Sequence, residues 1–156
     1  MYFLYSLLSA AAMVLLSPYF LVQGLRKKKY LTNLRERFGR LPAEVASRAA
    51  GAPGAIWIHA VSVGEVLAAG PLALRLRERY PERLIFVSTT TATGQELARQ
   101  RMKFTDGVFY FPFDWTWCVR RVLRAIRPSI VLILETEIWP NFLRELRRKN
   151  VPAVFV

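Results

Sequence analysis

The sequence predicts an α/β fold in which helices cover a parallel β-sheet. From Ala55 onward, apolar runs of strand length alternate with amphipathic segments of helix length, the pattern of a parallel sheet with crossover helices. No internal repeat or low-complexity tract interrupts this alternation. The 156 residues suffice for one domain with a real core. We therefore expect one compact domain with an appendage at its start.

Five apolar runs are predicted to be the strands of the sheet, and helices are expected to fill the gaps between them. The runs are Ala55 to Ala60, Leu84 to Ser88, Val108 to Phe111, Ile130 to Leu134 and Ala153 to Val156.

Two helices have clear sequence signals. The first is predicted over Val63 to Arg79, and it stops before Pro81 because the residue preceding a proline disfavours helical geometry. Its expected apolar stripe is Val66, Leu67, Pro71, Leu72, Leu74 and Leu76. The last helix is predicted to begin near Pro140, since proline is favoured in the first turn. It would turn Phe142, Leu143 and Leu146 inward and Arg144, Arg147 and Arg148 outward.

The appendage is predicted to be a membrane anchor. Tyr2 to Val22 carries no charge and has about the length of a membrane-spanning helix, roughly 20 residues. The basic cluster Arg26 to Lys29 follows this run, whereas a cleavable signal peptide would begin with positive charge and end in a cleavage site. Since lysine and arginine beside a membrane helix stay in the cytoplasm, the globular part is expected there. Pro18 breaks the run, so spanning and monotopic insertion both stay open.

The net charge of +12 is concentrated beside the apolar run. Seven of the 23 basic residues lie between Arg26 and Arg40, where each is attracted to anionic lipid by about 1 kcal/mol. We therefore predict an anionic membrane surface, and no nucleic acid, as the partner. Further arginines are expected on solvated helix faces, with contact to an anionic lipid substrate as the alternative; these are Arg75, Arg77, Arg79, Arg120, Arg121 and Arg124.

The domain organisation follows from these observations. Residues 1–40 are predicted to form the anchor and a basic juxtamembrane segment, and residues 55–156 the sheet domain. The stretch Gly39 to Gly54 is rich in alanine, glycine and proline, so residues 41–54 are predicted to be a linker. Cys118 is the single cysteine, which excludes an internal disulfide. His59, the single histidine, is expected to be packed or hydrogen-bonded rather than a metal ligand.

The first motif with chemical potential lies after the first predicted strand. Ser62 followed three residues later by Glu65 is typical of a capping box at a helix start. The alternative function is that Glu65 takes a proton from an acceptor hydroxyl, with Gly64 leaving room for the acceptor.

The second motif follows the second strand. Thr93 and Glu96 are predicted to form another capping box. Hydroxyls and helix-terminal N–H groups at this position can hold a sugar or a phosphate. Thr90 and Thr91 are therefore candidates for acceptor binding, and Gly94 for a backbone role.

The third motif follows the fourth strand. If the backbone stays extended, Glu135 and Glu137 lie on the same side, where their like charges would raise one pKa. The alternative is that Glu135 pairs with an arginine or a backbone N–H and only organises the loop. Asp114 is predicted to be the N-cap of the helix that follows it.

The three motifs, WIHAVSVGE, STTTATGQE and LETEIWPN, occur in an order that resembles the amino-terminal half of the 3-deoxy-D-manno-octulosonic acid (Kdo) transferases. These are membrane-bound glycosyltransferases of bacterial lipopolysaccharide synthesis. The resemblance implies a Rossmann-like acceptor domain of a GT-B enzyme. A predicted strand ends at the last residue, Val156, so we expect that a nucleotide-sugar domain is missing and that this chain alone transfers nothing.

The resemblance also implies a reaction, an inverting transfer of Kdo from CMP-Kdo to a lipid A precursor at the cytoplasmic face of the bacterial inner membrane. Glu65 would be the general base and Glu135 an essential carboxylate of the acceptor site, with Trp139 and Pro140 packing around it. The candidate substrate-binding residues in the three motifs are Ser62, Gly64, Thr90, Thr91, Gly94 and Glu137. CMP-Kdo would bind the missing domain, and no cofactor or metal is expected.

Three other classes compare less well with the sequence. A dinucleotide-dependent oxidoreductase would carry G-x-G-x-x-G after the first strand, and a phospho-receiver domain would carry several acidic residues there. Neither pattern is present. A membrane-tethered module that binds anionic lipid or RNA without catalysis stays open as the alternative.

Overall fold

The structure, a computed structural model, describes Tyr5, Leu15 and residues 33–51, 53–135 and 137–156. Its centre is a five-stranded sheet in the order β3-β2-β1-β4-β5, with every neighbouring pair parallel. The strands are β1 (Ala55–His59), β2 (Ile85–Thr89), β3 (Gly107–Tyr110), β4 (Pro128–Ile133) and β5 (Ala153–Phe155). The predicted α/β class and parallel sheet are confirmed.

Six helices lie within the described ranges from residue 33 onward. They are α1 (Leu34–Arg37), α2 (Ala43–Gly51), α3 (Val63–Arg79), α4 (Ala92–Arg101), α5 (Thr116–Ile126) and α6 (Pro140–Arg148). The bounds predicted for α3 and the start predicted for α6 are confirmed. Proline at the first position of α6 has no N–H that would need a partner.

The strand order creates a crevice between β1 and β4. The chain builds the sheet outward from β1 through β2 to β3, and then returns to the other side of β1 with β4 and β5. The loops that follow β1 and β4 therefore diverge at the carboxyl ends of adjacent strands. In open α/β sheets, such a topological switch point is where ligands bind.

The core has two layers because side chains alternate across each strand. Trp57, Phe86 and Phe109 point to the face covered by α2, α5 and α6. Ile58 and Val87 point to the opposite face, covered by α3 and α4.

The segment predicted to be a linker contains α2. Val45 and Ala49 of this helix are fully buried against the aromatic face of the sheet. Gly39, which precedes it, has a φ of +78°, and a Cβ there would lie 2.7 Å from the carbonyl oxygen of Cys118. Small residues in this segment thus permit close packing against α5. The part of the predicted linker that forms α2 therefore packs against the core through Val45 and Ala49.

The apolar stripe predicted for α3 is only partly the buried face. Leu67 and Leu74 are 54% and 45% exposed, whereas Ala69 and Ala73 are fully buried with Val66. The alanines let the helix approach the sheet closely, and the larger leucines lie beside the contact. The size of each side chain decides which residues face the sheet. A pattern of apolar and polar positions does not distinguish alanine from leucine, so it could not predict this outcome.

Two arginines predicted on solvated faces instead have structural partners. Arg77 pairs with the carboxylate of Asp106, and it also donates to the carbonyl oxygens of Phe104, Pro81 and Arg83. Arg120 pairs with the buried Glu145 at 2.8 Å. The predictions for Arg75, Arg79, Arg121 and Arg124, which are exposed, are confirmed.

The predicted anchor, Tyr2 to Val22, lies outside the described residues apart from Tyr5 and Leu15, and so does the cluster Arg26 to Lys29. Within the described ranges, none of the helices has the length and apolar character needed to cross a bilayer. The anchor stays a prediction. The last part of the predicted juxtamembrane segment does belong to the folded domain, since Glu36 and Arg37 of α1 bond to the ends of β3 and β2.

Candidate active site at the carboxyl ends of the strands

The loop from β1 to α3 forms the predicted capping box. The Ser62 hydroxyl oxygen accepts from the Glu65 N–H at 3.4 Å, and the Glu65 carboxylate accepts from the Ser62 N–H at 3.2 Å. The carboxylate takes two further hydrogen bonds, from the Val61 N–H at 2.7 Å and from the Ser62 hydroxyl at 2.7 Å. Glu65 is only 7% exposed. Its carboxylate is therefore held in one orientation at the switch point.

Glycines on the two neighbouring helices have different surroundings. A Cβ at Gly64 would have only the Ser62 hydroxyl oxygen within 4 Å, at 3.9 Å, so the fold leaves open space beside Glu65. A Cβ at Gly94 would lie 2.8 Å from the Thr91 hydroxyl oxygen and 3.2 Å from the Val61 carbonyl oxygen. The absent side chain at Gly94 thus lets α4 approach the loop that holds Glu65.

The loop after β2 is bonded to the loop after β1. The backbone N–H groups of Thr90 and Thr91 donate to the Val61 carbonyl oxygen at 3.3 and 3.1 Å. The Thr91 hydroxyl donates to the same oxygen at 3.2 Å and accepts from the Gly94 N–H at 3.1 Å. The loops after β1 and β2 therefore form one hydrogen-bonded unit.

The predicted capping box of Thr93 and Glu96 is wrong. Thr91 is the N-cap of α4, so the helix begins two residues earlier and Thr93 lies within its first turn. Thr91 occupies the N-cap position, where its hydroxyl also donates a hydrogen bond to the loop after β1. Sequence spacing alone cannot reveal that contact.

Thr90 differs from Thr91 in what its side chain does. Its hydroxyl oxygen is buried and has no hydrogen-bond partner among the described residues. Its carbonyl oxygen accepts from Nη2 of Arg37 at 2.5 Å. Of the two threonines, only Thr90 retains an unused side-chain hydrogen-bonding group.

The backbone of the loop after β4 is not extended. The prediction that Glu135 and Glu137 lie on the same side required an extended backbone, so its condition is not met. The strand ends at Ile133, and Glu135 has a φ of 60°, in the left-handed region. Its N–H donates to the carbonyl oxygen of Val156 at 3.1 Å, and its side chain is exposed. A non-glycine residue in this region costs about 1–2 kcal/mol.

Glu137 nevertheless lies within electrostatic reach of both Glu65 and Glu135. Burial raises the pKa of Glu137, and the negative charges of Glu65 and Glu135 raise it further. None of the salt bridges between described residues includes any of these three side chains. Nor does any group of three metal-ligating residues in the described ranges have the proximity needed to hold a metal ion. The site is a cluster of negative charge at the switch point.

His59 ends β1 and is fully buried, which confirms that it is packed and hydrogen-bonded. Its Nδ1 lies 2.9 Å from the hydroxyl oxygen of Ser88, which also accepts from Trp57 Nε1 at 2.8 Å. Its ring stacks on Phe111 at 4.1 Å between centroids. Burial lowers the pKa of His59 to about 4, so the ring is neutral at pH 7. Its Nε2 has no partner in the described part of the chain.

Asp114 is not the N-cap of α5, because Trp115 occupies that position without a side-chain bond. The Asp114 carboxylate instead accepts from the backbone N–H groups of Asn141 and Phe142 at 2.9 and 2.8 Å. Asp114 therefore caps α6, a helix distant in sequence. Burial raises the pKa of its carboxyl to about 6, although both N–H donors act in the opposite direction.

Arg37 and Ser88 were missed by the sequence reasoning. Arg37 was counted with the basic juxtamembrane cluster, and nothing in its local sequence separates it from Arg35 or Arg40. Ser88 is a small polar residue ending an apolar run. Its position opposite Trp57 and His59 on β1 depends on the strand register.

Comparison with known proteins was consistent with these motifs. The sequence profile of the family described as 3-deoxy-D-manno-octulosonic-acid transferase (kdotransferase) matches residues 32–156. The chain belongs to the Kdo transferase family. The resemblance found in the three motifs is thereby confirmed, and the matched residues include all three loops of the site.

Individual Kdo transferases are similar over most of this chain. The 3-deoxy-D-manno-octulosonic acid transferase of Haemophilus influenzae is 36% identical over 133 residues, 84% of this chain and 30% of that protein. The protein of the same name from Chlamydophila psittaci is 33% identical over 156 residues, 99% of this chain and 35% of its own length. That of Bordetella pertussis is 36% identical over 125 residues. The chain thus spans about a third of the length of these relatives.

Proposed function

We propose that this chain is the acceptor-binding, Rossmann-like domain of a GT-B Kdo transferase. The enzyme would transfer Kdo from CMP-Kdo to a hydroxyl of a lipid A precursor, with inversion, at the cytoplasmic face of the bacterial inner membrane. Family membership and the placement of the three motifs at the carboxyl edge of one sheet support this proposal. The residues that hold the cytidine nucleotide are expected outside residues 33–156.

The observation that carries the proposal is the geometry of Glu65. A carboxylate has about four acceptor positions. Three of them are occupied by the Val61 N–H, the Ser62 N–H and the Ser62 hydroxyl, which leaves one on Oε2. Glu65 can thus accept a proton without leaving the capping box. The cap serves as the device that orients the base.

The proposed reaction is a direct displacement. The acceptor oxygen forms a bond to the anomeric carbon of Kdo, while the bond from that carbon to the CMP phosphate oxygen breaks and CMP leaves with the electron pair. The acceptor's proton passes to Glu65. The open space at Gly64 admits the acceptor, and Glu137, whose pKa is raised, can donate a hydrogen bond to a sugar hydroxyl when protonated.

The test of Glu65 uses a chimaera in which residues 32–156 replace the matched segment of the Haemophilus influenzae enzyme, assayed with radiolabelled CMP-Kdo. Glu65→Gln is expected to lower turnover by roughly 100-fold or more, the usual contribution of a general base. The fold should persist because glutamine also serves in a capping box. Glu78→Gln, an exposed position on the same helix, is the matched control.

Turnover in Glu65→Gln equal to that of Glu78→Gln would leave capping as the whole role of Glu65. Glu135→Gln distinguishes the two readings of the third motif. Lost turnover with an unchanged melting temperature supports a role in the site, whereas lost stability supports an organising role. Calorimetry on this chain provides a second readout, in which the acceptor disaccharide should bind weakly and CMP should not bind. Micromolar binding of CMP would contradict the proposed division between acceptor and donor parts.

A further inference from the structure

The loop after β4 is fixed at both ends by other parts of the chain. At its start, the Leu134 N–H donates to the carbonyl oxygen of the last residue of β1 at 2.9 Å. At its end, α6 begins directly after Trp139, which provides no side-chain cap bond. Asp114 caps the first turn of α6 instead. The placement of Glu135 and Glu137 between these two ends therefore depends on Asp114.

Asp114 is bonded to the start of α6 through both its side chain and its backbone. Its carboxylate oxygens accept from the N–H groups of Asn141 and Phe142 at 2.9 and 2.8 Å, and its carbonyl oxygen accepts from Nδ2 of Asn141 at 2.6 Å. The two N–H groups belong to the first turn, where the helix itself offers them no acceptor. Since Asp114 is only 7% exposed, its carboxylate depends on donors within the protein.

Tyr5 is a further partner of the same carboxylate. The half-buried Tyr5 side chain forms a hydrogen bond with Asp114, and its hydroxyl is the donor because an ionised carboxylate only accepts. Burial raises the pKa of Asp114 to about 6, and the bonds from Asn141, Phe142 and Tyr5 lower it. Each of these donors thus favours the ionised form, which can accept from both N–H groups of α6.

A second contact joins the amino-terminal part of the chain to the loop between β3 and α5. The Phe113 N–H donates to the carbonyl oxygen of Arg37 at 2.8 Å, and the rings of Phe38 and Phe113 meet edge-on with centroids 5.4 Å apart. Asp114 follows Phe113 directly in the sequence. Tyr5 and the end of α1 therefore reach neighbouring residues of the same loop.

The contact of Tyr5 bears on how the predicted anchor meets the membrane. In a helix that spans the bilayer with its basic cluster on the cytoplasmic side, Tyr5 would lie roughly 25 Å from Val22, at 1.5 Å per residue. That distance is close to the thickness of the hydrocarbon core, about 30 Å. Tyr5 would then be at the far face, out of reach of Asp114. The contact favours insertion from one side over spanning.

We propose that Tyr5 and Asp114 are positioning residues for the loop that carries Glu135 and Glu137, and that the amino-terminal apolar run inserts from the cytoplasmic side. This inference rests on the function proposed above. The Tyr5 hydroxyl orients the Asp114 carboxylate, the carboxylate fixes the first turn of α6, and α6 fixes the end of the loop. The predicted anchor thereby acts on the geometry of the site in addition to holding the domain at the membrane.

The first test is amide hydrogen exchange, measured by NMR on the chain in detergent micelles. Tyr5→Phe removes only the hydroxyl and should raise the exchange rates of the Asn141 and Phe142 amides roughly 3- to 10-fold, the range that one hydrogen bond allows. The amide of Ala73, in the interior of α3, should exchange as in the wild type. Tyr19→Phe removes a hydroxyl from the same apolar run and is the matched control.

The second test is turnover in a chimaera in which this chain replaces the matching part of the Chlamydophila psittaci enzyme, which is similar over 99% of this chain. Tyr5→Phe should lower kcat roughly 3- to 10-fold and leave the KM for CMP-Kdo unchanged, because the variant disturbs placement of the loop and not donor binding. The variant should stay in the membrane fraction. Tyr19→Phe should keep the wild-type kcat.

A double-variant cycle tests whether the two residues act through one bond. Asp114→Asn removes the charge and leaves the Tyr5 hydroxyl a weaker partner. Adding Tyr5→Phe to it should lower kcat little further, because the two changes break the same connection. Two decreases that simply multiply would overturn the proposal. If Asp114→Asn does not fold, the comparison of Tyr5→Phe with Tyr19→Phe decides.

The topology has its own test in spheroplasts that contain the chimaera. A membrane-impermeant maleimide should label Tyr2→Cys only after lysis, and labelling of intact spheroplasts above the level of the unsubstituted chimaera would overturn insertion from one side. Unchanged exchange at α6 in Tyr5→Phe, an equal effect of Tyr19→Phe, or release of the Tyr5→Phe chimaera from the membrane would overturn the positioning role.

Failure of the proposed function gives a different result. A wild-type chimaera without transfer, or one with full turnover in Glu65→Gln, would overturn that function. The exchange rates of the Asn141 and Phe142 amides would still decide whether Tyr5 acts on α6 through Asp114.

Discussion

The two ends of the same sheet differ in how completely their polar groups are satisfied. At the amino ends of the strands, the Asp106 carboxylate accepts from the Ile85 N–H and pairs with Arg77. Arg127 donates to two carbonyl oxygens of α2, and the Ser129 hydroxyl donates to the carbonyl oxygen of Gly54. Charged and polar groups at this end have mutual partners.

The carboxyl ends show the opposite condition. The three buried side-chain atoms without a partner among the described residues are His59 Nε2, Thr90 Oγ1 and Trp139 Nε1, and all lie at this end. The negative charges of Glu65 and Glu135 also act on Glu137 here, and Glu135 has a positive φ. The polar groups at the amino ends thus stabilise the fold through mutual hydrogen bonds and ion pairs. The buried polar atoms without a partner lie at the carboxyl ends, where ligands of α/β proteins bind.

The largest effect expected from this comparison is a pH dependence at the carboxyl end. Because burial lowers the pKa of His59 from 6.5 to about 4, its stabilising contribution is present above pH 6.5 and is lost as the pH falls toward 4. At about 1.4 kcal/mol per pKa unit, the loss amounts to about 3 kcal/mol. Urea unfolding of the wild type and of His59→Asn, which keeps a group at the Nδ1 position, measures it.

The free energy of unfolding of His59→Asn should change less between pH 7 and pH 4 than that of the wild type. Asp114 acts in the opposite direction over this range, because its raised pKa of about 6 adds stability as the pH falls. Both proteins contain Asp114, so its contribution cancels in the difference. If the stability of the two proteins depends on pH in the same way, folding does not change the pKa of His59.

The second effect concerns the amino end. Asp106→Ala should lower the free energy of unfolding by about 2 kcal/mol, because the Ile85 N–H and the Arg77 guanidinium both lose a partner. Thermal melting measures this loss, and calorimetry with the acceptor disaccharide should find the affinity of the folded chain unchanged. Asp106→Asn, which keeps an acceptor for the Ile85 N–H, should lose less. A change in affinity would mean that the two ends are coupled.

The smallest effect compares two glycines. Gly94→Ala should destabilise the chain by about 1–2 kcal/mol, because its methyl group would press on Thr91 and on the Val61 carbonyl. Gly70→Ala is the control in the interior of α3, where a Cβ meets nothing within 4 Å. There alanine should stabilise by about 0.5–1 kcal/mol. Thermal melting of both variants checks the sign, and equal shifts would contradict the close approach of α4 to the Glu65 loop.

The sequence by itself determined the parallel α/β architecture, the bounds of α3 and the capping box of Ser62 and Glu65. Each of these depends on residues close together in the chain, through hydrophobic period, through proline or through i,i+3 bonding. The position of the motifs after strands also followed from local pattern. Strand ends moved by at most two residues, because fraying and pairing decide where a ladder stops.

Only the tertiary structure decided which of these local features meet. Asp114 caps α6 and not the helix beside it, α2 enters the core, and Arg37 leaves the basic cluster to bond with Thr90. In each case the partner lies more than 25 residues away, so its identity depends on strand order and register. The residue type determines which hydrogen bonds and ion pairs a side chain can form, but the packing of distant elements determines which partner it has.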